Sequence, residues 1–224
     1  RTEGSQDSGL EPYWKKSSNP AHFRLAYFLY FMPSNLYRVA SVWAELHRLG
    51  FRWSAGKSLK GIEFGSGPAT GACGIAAGER YAPVGIPATG DWALIAQDKA
   101  MLELGAEWAR RYFSFVAAPE AGSGADWGTR TFHRTLDFKR GLLPPTAPRF
   151  NVMVMSYFLN EATEPPARLA DTLIDAWEKH LEEEGVVIMV EPALKLQSRK
   201  LLELRKALLE ASARRGTAWL QILL

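Results

Sequence analysis

The chain predicts an α/β protein: a Rossmann-like, doubly wound and mainly parallel sheet preceded by a helical N-terminal extension. Three observations carry this expectation. From Gly61 onward short apolar runs alternate with amphipathic helical stretches. The run Asn151–Phe158, "NVMVMSYF", is almost continuously apolar, as a strand buried on both faces must be. And "KGIEFGSGPATGACGIAAG", Lys60–Gly78, reads as a strand, a glycine turn and a small-residue helix.

Residues 1–19 are polar and rich in Ser and Gly, a loose lead-in. His22–Phe31 and Pro33–Leu49 read as two helices, with Pro33 in the first turn of the second. Leu36, Val39, Trp43, Leu46 and Leu49 recur there at helical spacing and predict one packing stripe. Phe51–Ser58 is an expected loop, so the extension spans 1–58 and the main domain 59–224. Within that domain Ile62–Phe64 is the first strand and Thr70–Arg80 the helix after it. Trp92–Ala96 is a second strand, followed by a helix over Asp98–Tyr112. The Gly/Ala/Ser-rich "APEAGSGADWG" reads as a loop before a third strand, Thr131–Leu136. Pro166–Glu184 is a long helix with Leu169, Leu173, Trp177 and Leu181 on one face and Gly185 at its end. Val186–Val190 is another buried strand and Leu194–Ala213 a basic amphipathic helix, with one more strand beginning at Ala218–Leu224.

Composition narrows the class. With 224 residues, 47% hydrophobic and 23% charged, the chain suits one α/β globular domain with an appendage, or two small domains. No apolar run approaches the ~20 residues of a membrane helix, and no secretory or transit signal is evident. The lone Cys73 excludes an internal disulfide framework and fits a reducing, intracellular compartment. The four histidines are dispersed, so no metal site is expected. The chain opens on Arg1 and stops at "AWLQILL", which predicts a processed or truncated piece. Its charge is segregated: residues 15–60 carry eight Lys or Arg against one acid, and 195–215 seven against two. The middle, 61–194, carries eleven against eighteen. Two basic flanks around an acidic middle predict either a phosphate-binding face or two solvated helix faces.

The glycine turn constrains the ligand. Counted from Gly65, a G-x-G-x-x-G dinucleotide fingerprint would need glycine at Thr70, and Pro68 removes a backbone donor. No G-x-x-x-x-G-K-[ST] phosphate loop is present. What stands is an acid two residues before G-x-G: Glu63, Gly65, Ser66 and Gly67. This is similar to the first motif of class I S-adenosylmethionine-dependent methyltransferases, in which the acid and glycine backbone hold the methionine part of the cofactor. In that pattern an acid closing the second strand binds the ribose. Here Asp98 is the nearest acid, while counting back from Met101 puts the position at Ala96, so Asp98 reads equally as a helix cap. Asp137 stands where the pattern has the adenine contact, and reads equally as a helix or turn cap facing water.

Three further stretches, "YFLYFMPSNLYRVASVWAEL", "VMVMSYFLNEA" and "VVIMVEPALKLQSRKLLELRKALL", join "IEFGSGPATG" over about residues 22–212. In order and spacing they resemble the methyltransferase-like proteins of the mitochondrial small ribosomal subunit and their bacterial relatives. The resemblance implies S-adenosylmethionine as cofactor, and ribosomal RNA and small-subunit proteins as partners, with a monomer off the ribosome. It implies the bacterial cytoplasm or the mitochondrial matrix. Many members also carry an iron–sulfur cluster on cysteines beyond this segment, which would belong only to a longer chain. Glu191-Pro192 is followed here by Ala193-Leu194 where the family has Gly and Thr, and Ala69 replaces a glycine of the first motif.

Under this resemblance Ser156 lines the cofactor site, and Tyr157, Asn160 and Glu161 are the acceptor-site candidates, Glu161 as a base or as a group orienting an amine. Tyr157 packing and Glu161 capping the next helix is the alternative. The RNA-binding candidates are Arg38, Arg48 and Arg52 on one flank and Lys195, Arg199, Lys200 and Arg205 on the other. Three readings stay open: a methyltransferase acting on ribosomal RNA, a catalytically inactive assembly factor on the same fold, and a small-molecule methyltransferase or another α/β enzyme with incidental basic helices.

Overall fold

The computed structural model describes residues 19–51, 58–79, 89–117, 126–133, 141–159 and 162–217. Five strands form one sheet in the order β3-β2-β1-β4-β5, all pairs parallel. They are β1 (Leu59–Phe64), β2 (Thr89–Ala96), β3 (Asp126–His133), β4 (Phe150–Ser156) and β5 (Leu181–Val190). Five helices accompany them: α1 (Pro20–Arg48), α2 (Thr70–Glu79), α3 (Lys99–Ala117), α4 (Pro166–His180) and α5 (Lys195–Arg215). This is the expected Rossmann-like fold with a helical extension. Among the described residues no helix is long and apolar enough to cross a membrane.

The period-2 alternation of the strands divides the core into two layers. Ile62, Phe64, Met153 and Met155 face α4 and α5, packing on Leu169, Leu173, Trp177, Leu204 and Leu208. Leu59, Trp92, Leu94, Val152 and Val154 face the other way, onto α1, α2 and α3. Asn151 accepts from the Lys60 N–H at 2.6 Å and donates to the Ser58 carbonyl at 3.2 Å, pinning the start of β1 to β4.

Small residues in α2 have a packing reason. A Cβ on Gly74 would lie 2.7 Å from Val39 Cβ and 2.9 Å from the Leu36 carbonyl. One on Gly78 would lie 2.8 Å from Trp43 and 3.0 Å from the Ala40 carbonyl. Leu36 and Val39 meet Gly74, and Ala40 and Trp43 meet Gly78, so the two helices run in the same direction at close range. Below this seam Trp43 donates to the buried Glu79 carboxylate at 2.6 Å, and His47 lies 3.4 Å from the same oxygen. Burial pushes the Glu79 carboxyl up to about 7 against the pull of the Trp43 N–H.

Four elements depart from the expectations. The two helices expected before Leu49 are one, α1, with Pro33 inside it. Docking on α2 outweighs the hydrogen bond that proline removes. β3 begins at Asp126, inside the stretch read as a loop, because it pairs with β2 from Thr89↔Asp126 through Ala96↔His133. α3 runs on to Ala117, beyond the expected end at Tyr112. α4 ends at His180 rather than Glu184. Leu181 already pairs with Phe150, whereas Val152 pairs with Val186, so Glu182–Gly185 form a bulge. A Cβ on Gly185 would lie 2.6 Å from the Leu181 side chain; this glycine closes the bulge rather than capping a helix. The strand expected at Ala218–Leu224 lies outside the described residues.

Gly74→Leu should separate α1 from α2 and lower stability by about 1–3 kcal/mol, read as a fall in the urea midpoint. Because the folded Glu79 carboxyl sits above its ordinary value of 4.5, its contribution is fully present below ~4.5 and is lost as pH rises through about 7. Glu79→Gln, which can still accept from Trp43, should flatten the pH dependence of stability across that window. An unflattened profile in denaturant titrations would count against this assignment.

Candidate cofactor crevice and its rim

Because the strands are parallel, their carboxyl ends share one edge, and the crevice opens where the chain reverses direction across the sheet. That point is between β1 and β4. The turn after β1 leans toward β2: the Ser66 N–H donates to the Ile95 carbonyl at 2.9 Å. The turn after β4 leans the other way, the Tyr157 N–H donating to Val190 at 2.8 Å. Two turns diverging from adjacent strands leave a cleft between them.

Both strands end in a left-handed residue, Gly65 at φ +67° and Tyr157 at φ +59°. Gly67 (φ +49°) and Ala69 (φ +61°) complete the first turn. Glycine takes this conformation freely; Ala69 and Tyr157 do so at a cost of order 1–2 kcal/mol. Each is held by its surroundings. The Ala69 N–H donates to Ser66 at 2.8 Å. α3 presses on the turn at Gly105, where a Cβ would meet Pro68 at 2.6 Å. Tyr157 is held through its phenol, which bonds Asn35 and Arg38 of α1; Arg38 also donates to Asn35 at 2.8 Å.

Glu63 is wholly buried, and its two oxygens accept the Gly71 and Ala72 N–H groups at 2.7 and 3.0 Å. Burial pushes this carboxyl up to about 7, opposed by those two N–H bonds. Gly71 permits the approach, since a Cβ there would lie 2.8 Å from the Glu63 carboxyl carbon. Glu63 thus orders the turn that a ligand would touch, each of its oxygens accepting one N–H of α2. Beside it the hydroxyls of Ser66 and Ser156 are buried and make no hydrogen bond among the described residues. They flank the crevice from β1 and β4.

Asp98 is the helix cap. Its Oδ1 accepts the Ala100 and Met101 N–H groups at 3.1 and 3.2 Å, and Arg24 of α1 pairs with Oδ2 at 2.8 Å. Ala96 closes β2, so the described end of this strand offers no free acid for a ribose. On the far side Glu191 accepts the Leu159 N–H at 2.8 Å; burial raises its carboxyl, while that N–H, the Phe158 N–H and nearby Lys200 pull it down. Cys73 is buried on α2 with its thiol pushed well up by burial.

Asn160, Glu161, Asp137 and Arg52 lie outside the described residues. The two basic flanks do not share a sheet face: α1 lies on one layer and α5 on the other. Arg38 is exposed but bound to Tyr157, and Arg48 is paired with Glu45 at 2.5 Å. Arg205 is half-buried. Arg214 and Arg215, at the end of α5, clamp Asp171 and Asp175 of α4. Lys195, Arg199 and Lys200 stand on the first turns of α5, directly beyond the β5 carboxyl end. Arg38 and these three cations therefore stand on the carboxyl side of the sheet, at the ends of β4 and β5. Sequence reasoning missed Asn35 and Arg24, the α1 groups reaching the ends of β4 and β2; a polar residue on a helix stripe otherwise apolar was the available signal for Asn35.

No protein-family model and no curated protein matches the sequence. Among solved structures the chain is similar to the plantazolicin methyltransferase BpumL in complex with SAH, at 11% identity over 87% of this chain and 66% of that one, TM-score 0.46. It is also similar to a precorrin-6y C5,15-methyltransferase from Geobacter metallireducens (13% identity, 76% and 70% covered, TM-score 0.43). A third is PKMT2 from Rickettsia typhi in complex with AdoHcy (14% identity, 69% and 24% covered, TM-score 0.38). The chain spans about two thirds of the first of these. The fold assignment rests on the strand order itself.

Glu63→Ala would strand two buried N–H donors, which cost about 1–3 kcal/mol each when unpaired. The expected loss is therefore at least about 2 kcal/mol, measured by thermal or urea unfolding. Gly71→Ala, which collides with the same carboxyl, should act in the same direction.

Proposed function

We propose that this chain binds S-adenosylmethionine in the crevice between β1 and β4 and serves the small ribosomal subunit as a methyltransferase with its acceptor in ribosomal RNA. The observation that carries the cofactor reading is the pair of buried hydroxyls, Ser66 and Ser156, without a partner among the described residues and flanking a left-handed glycine turn at the N-terminus of α2. The residues fit such a ligand: Gly65 and Gly67 leave its approach open, and the hydroxyls offer donors. Bound there, the cofactor would supply an electrophilic methyl group on sulfonium. The chain's own contribution is proximity and alignment, which suffices for a good nucleophile. The ribosomal part rests on the family resemblance and on the cations at the carboxyl ends of β4 and β5.

A second reading is favoured by one observation. Asp98 is spent on the α3 cap and Arg24, and Ala96 stands where a ribose-binding acid is expected. A factor that keeps the fold for RNA binding and no longer turns over the cofactor would show this pattern.

Calorimetric titration with S-adenosylmethionine separates the two. Saturable binding that Gly65→Arg abolishes, with the circular dichroism spectrum unchanged, supports the first reading. No heat from a well-folded chain supports the second.

A further inference from the structure

The outward ridge of α1 carries rings where a solvated helix usually carries Glu and Lys. At 100° per residue Tyr30, Ser34, Tyr37, Ser41 and Arg48 line one ridge. Tyr30 is 76% exposed and Tyr37 72%, with Phe31 beside Tyr30 at 46% and a ring separation of 4.9 Å. Neither tyrosine is needed for the core. Ser34, between them, and Ser41, just after Tyr37, fold their hydroxyls back onto the Phe31 and Tyr37 carbonyls, at 3.0 and 2.8 Å. The tyrosines stand two helical turns apart, about 10 Å along the axis.

Charge says what such a ridge would meet. Glu45 is the sole acid of α1, and it is neutralised by Arg48. Arg38, next to Tyr37, reaches Tyr157 at the end of β4, while Lys195, Arg199 and Lys200 lie beyond the end of β5. Flat exposed rings leading to cations match the way single-stranded nucleic acid is held, bases on rings and phosphates on cations.

Resting on the ribosomal-RNA reading above, we propose that the Tyr30–Tyr37 ridge is a stacking platform for unpaired bases. It holds an RNA strand that runs past Arg38 and Tyr157 to the first turns of α5 and so presents one base to the crevice. The acceptor segment is then single-stranded, a loop or a splayed end, rather than a duplex.

The test uses a fluorescein-labelled single-stranded RNA 16-mer and its duplex, with affinity measured by anisotropy across a salt series. Wild type should prefer the single strand. Tyr30→Ala/Tyr37→Ala should weaken single-strand binding by about tenfold or more while leaving the salt slope unchanged, and the Phe/Phe pair should restore it. Lys195→Glu/Arg199→Glu should instead flatten the salt slope. Both tyrosines are exposed, so unchanged thermal unfolding is expected of their variants. Wild-type affinity and slope in the Ala/Ala variant would overturn the platform and leave the RNA reading standing. Failure of wild type to bind either RNA would overturn the RNA reading and the platform with it. Binding to anionic phospholipid vesicles that Ala/Ala abolishes, with RNA affinity unmoved, would assign the ridge to a membrane surface instead.

Discussion

Everything at the carboxyl edge depends on a buried carboxylate. Glu63 closes on the first two free N–H groups of α2 and so fixes the angle at which that helix leaves β1. A charged group this deep is costly to bury, and the two backbone donors are what make it tolerable. Once the buckle is set, Gly65 and Gly67 can be left-handed without the turn being loose. α2 then points where Gly74 and Gly78 meet α1, and α1 in turn reaches the ends of β2 and β4 through Arg24, Asn35 and Arg38. One acid thus sets the crevice floor directly and its rim through two helices.

Much of this was legible in the residues. An apolar run followed by acid-x-G-x-G announces a strand and its turn, and period-2 alternation announces strands packed on both sides. The glycines of α2 were legible only as small. Their partner, α1, is distant in sequence, and no local pattern says that Gly74 faces a neighbouring backbone. The same holds for Glu63: its spacing to the glycines is local, but that its oxygens accept the Gly71 and Ala72 N–H groups appears only once the helix forms. Asp98 shows the converse. Counting from Met101 already moved it off the ribose position, and the structure puts it on the cap that this spacing suggests. Gly185 was misread because a glycine after an amphipathic run looks the same whether it caps a helix or closes a bulge.

Segregation of charge was visible in the sequence, but its geometry was not. A doubly wound sheet sends its first helices to one layer and its last to the other, so two basic ends cannot share a face. They can share an edge. The last arginines of α5 are consumed by α4, whereas its first cations stand at the same edge as Arg38. Exposed pairs such as Arg48–Glu45 contribute little to stability and exchange readily for another anion.

Pro33 divides α1 into two parts. The helical ladder lacks one hydrogen bond there, next to the point where α1 leaves its close seam with α2. The part after Pro33 is anchored by Val39, Trp43 and His47. The part before it is tethered by Arg24 to Asp98 and by Phe28 edge-on to Trp108. α1 thus fastens two neighbours with one backbone: its later half lies on α2, and its earlier half reaches the start and the middle of α3 through Arg24 and Phe28.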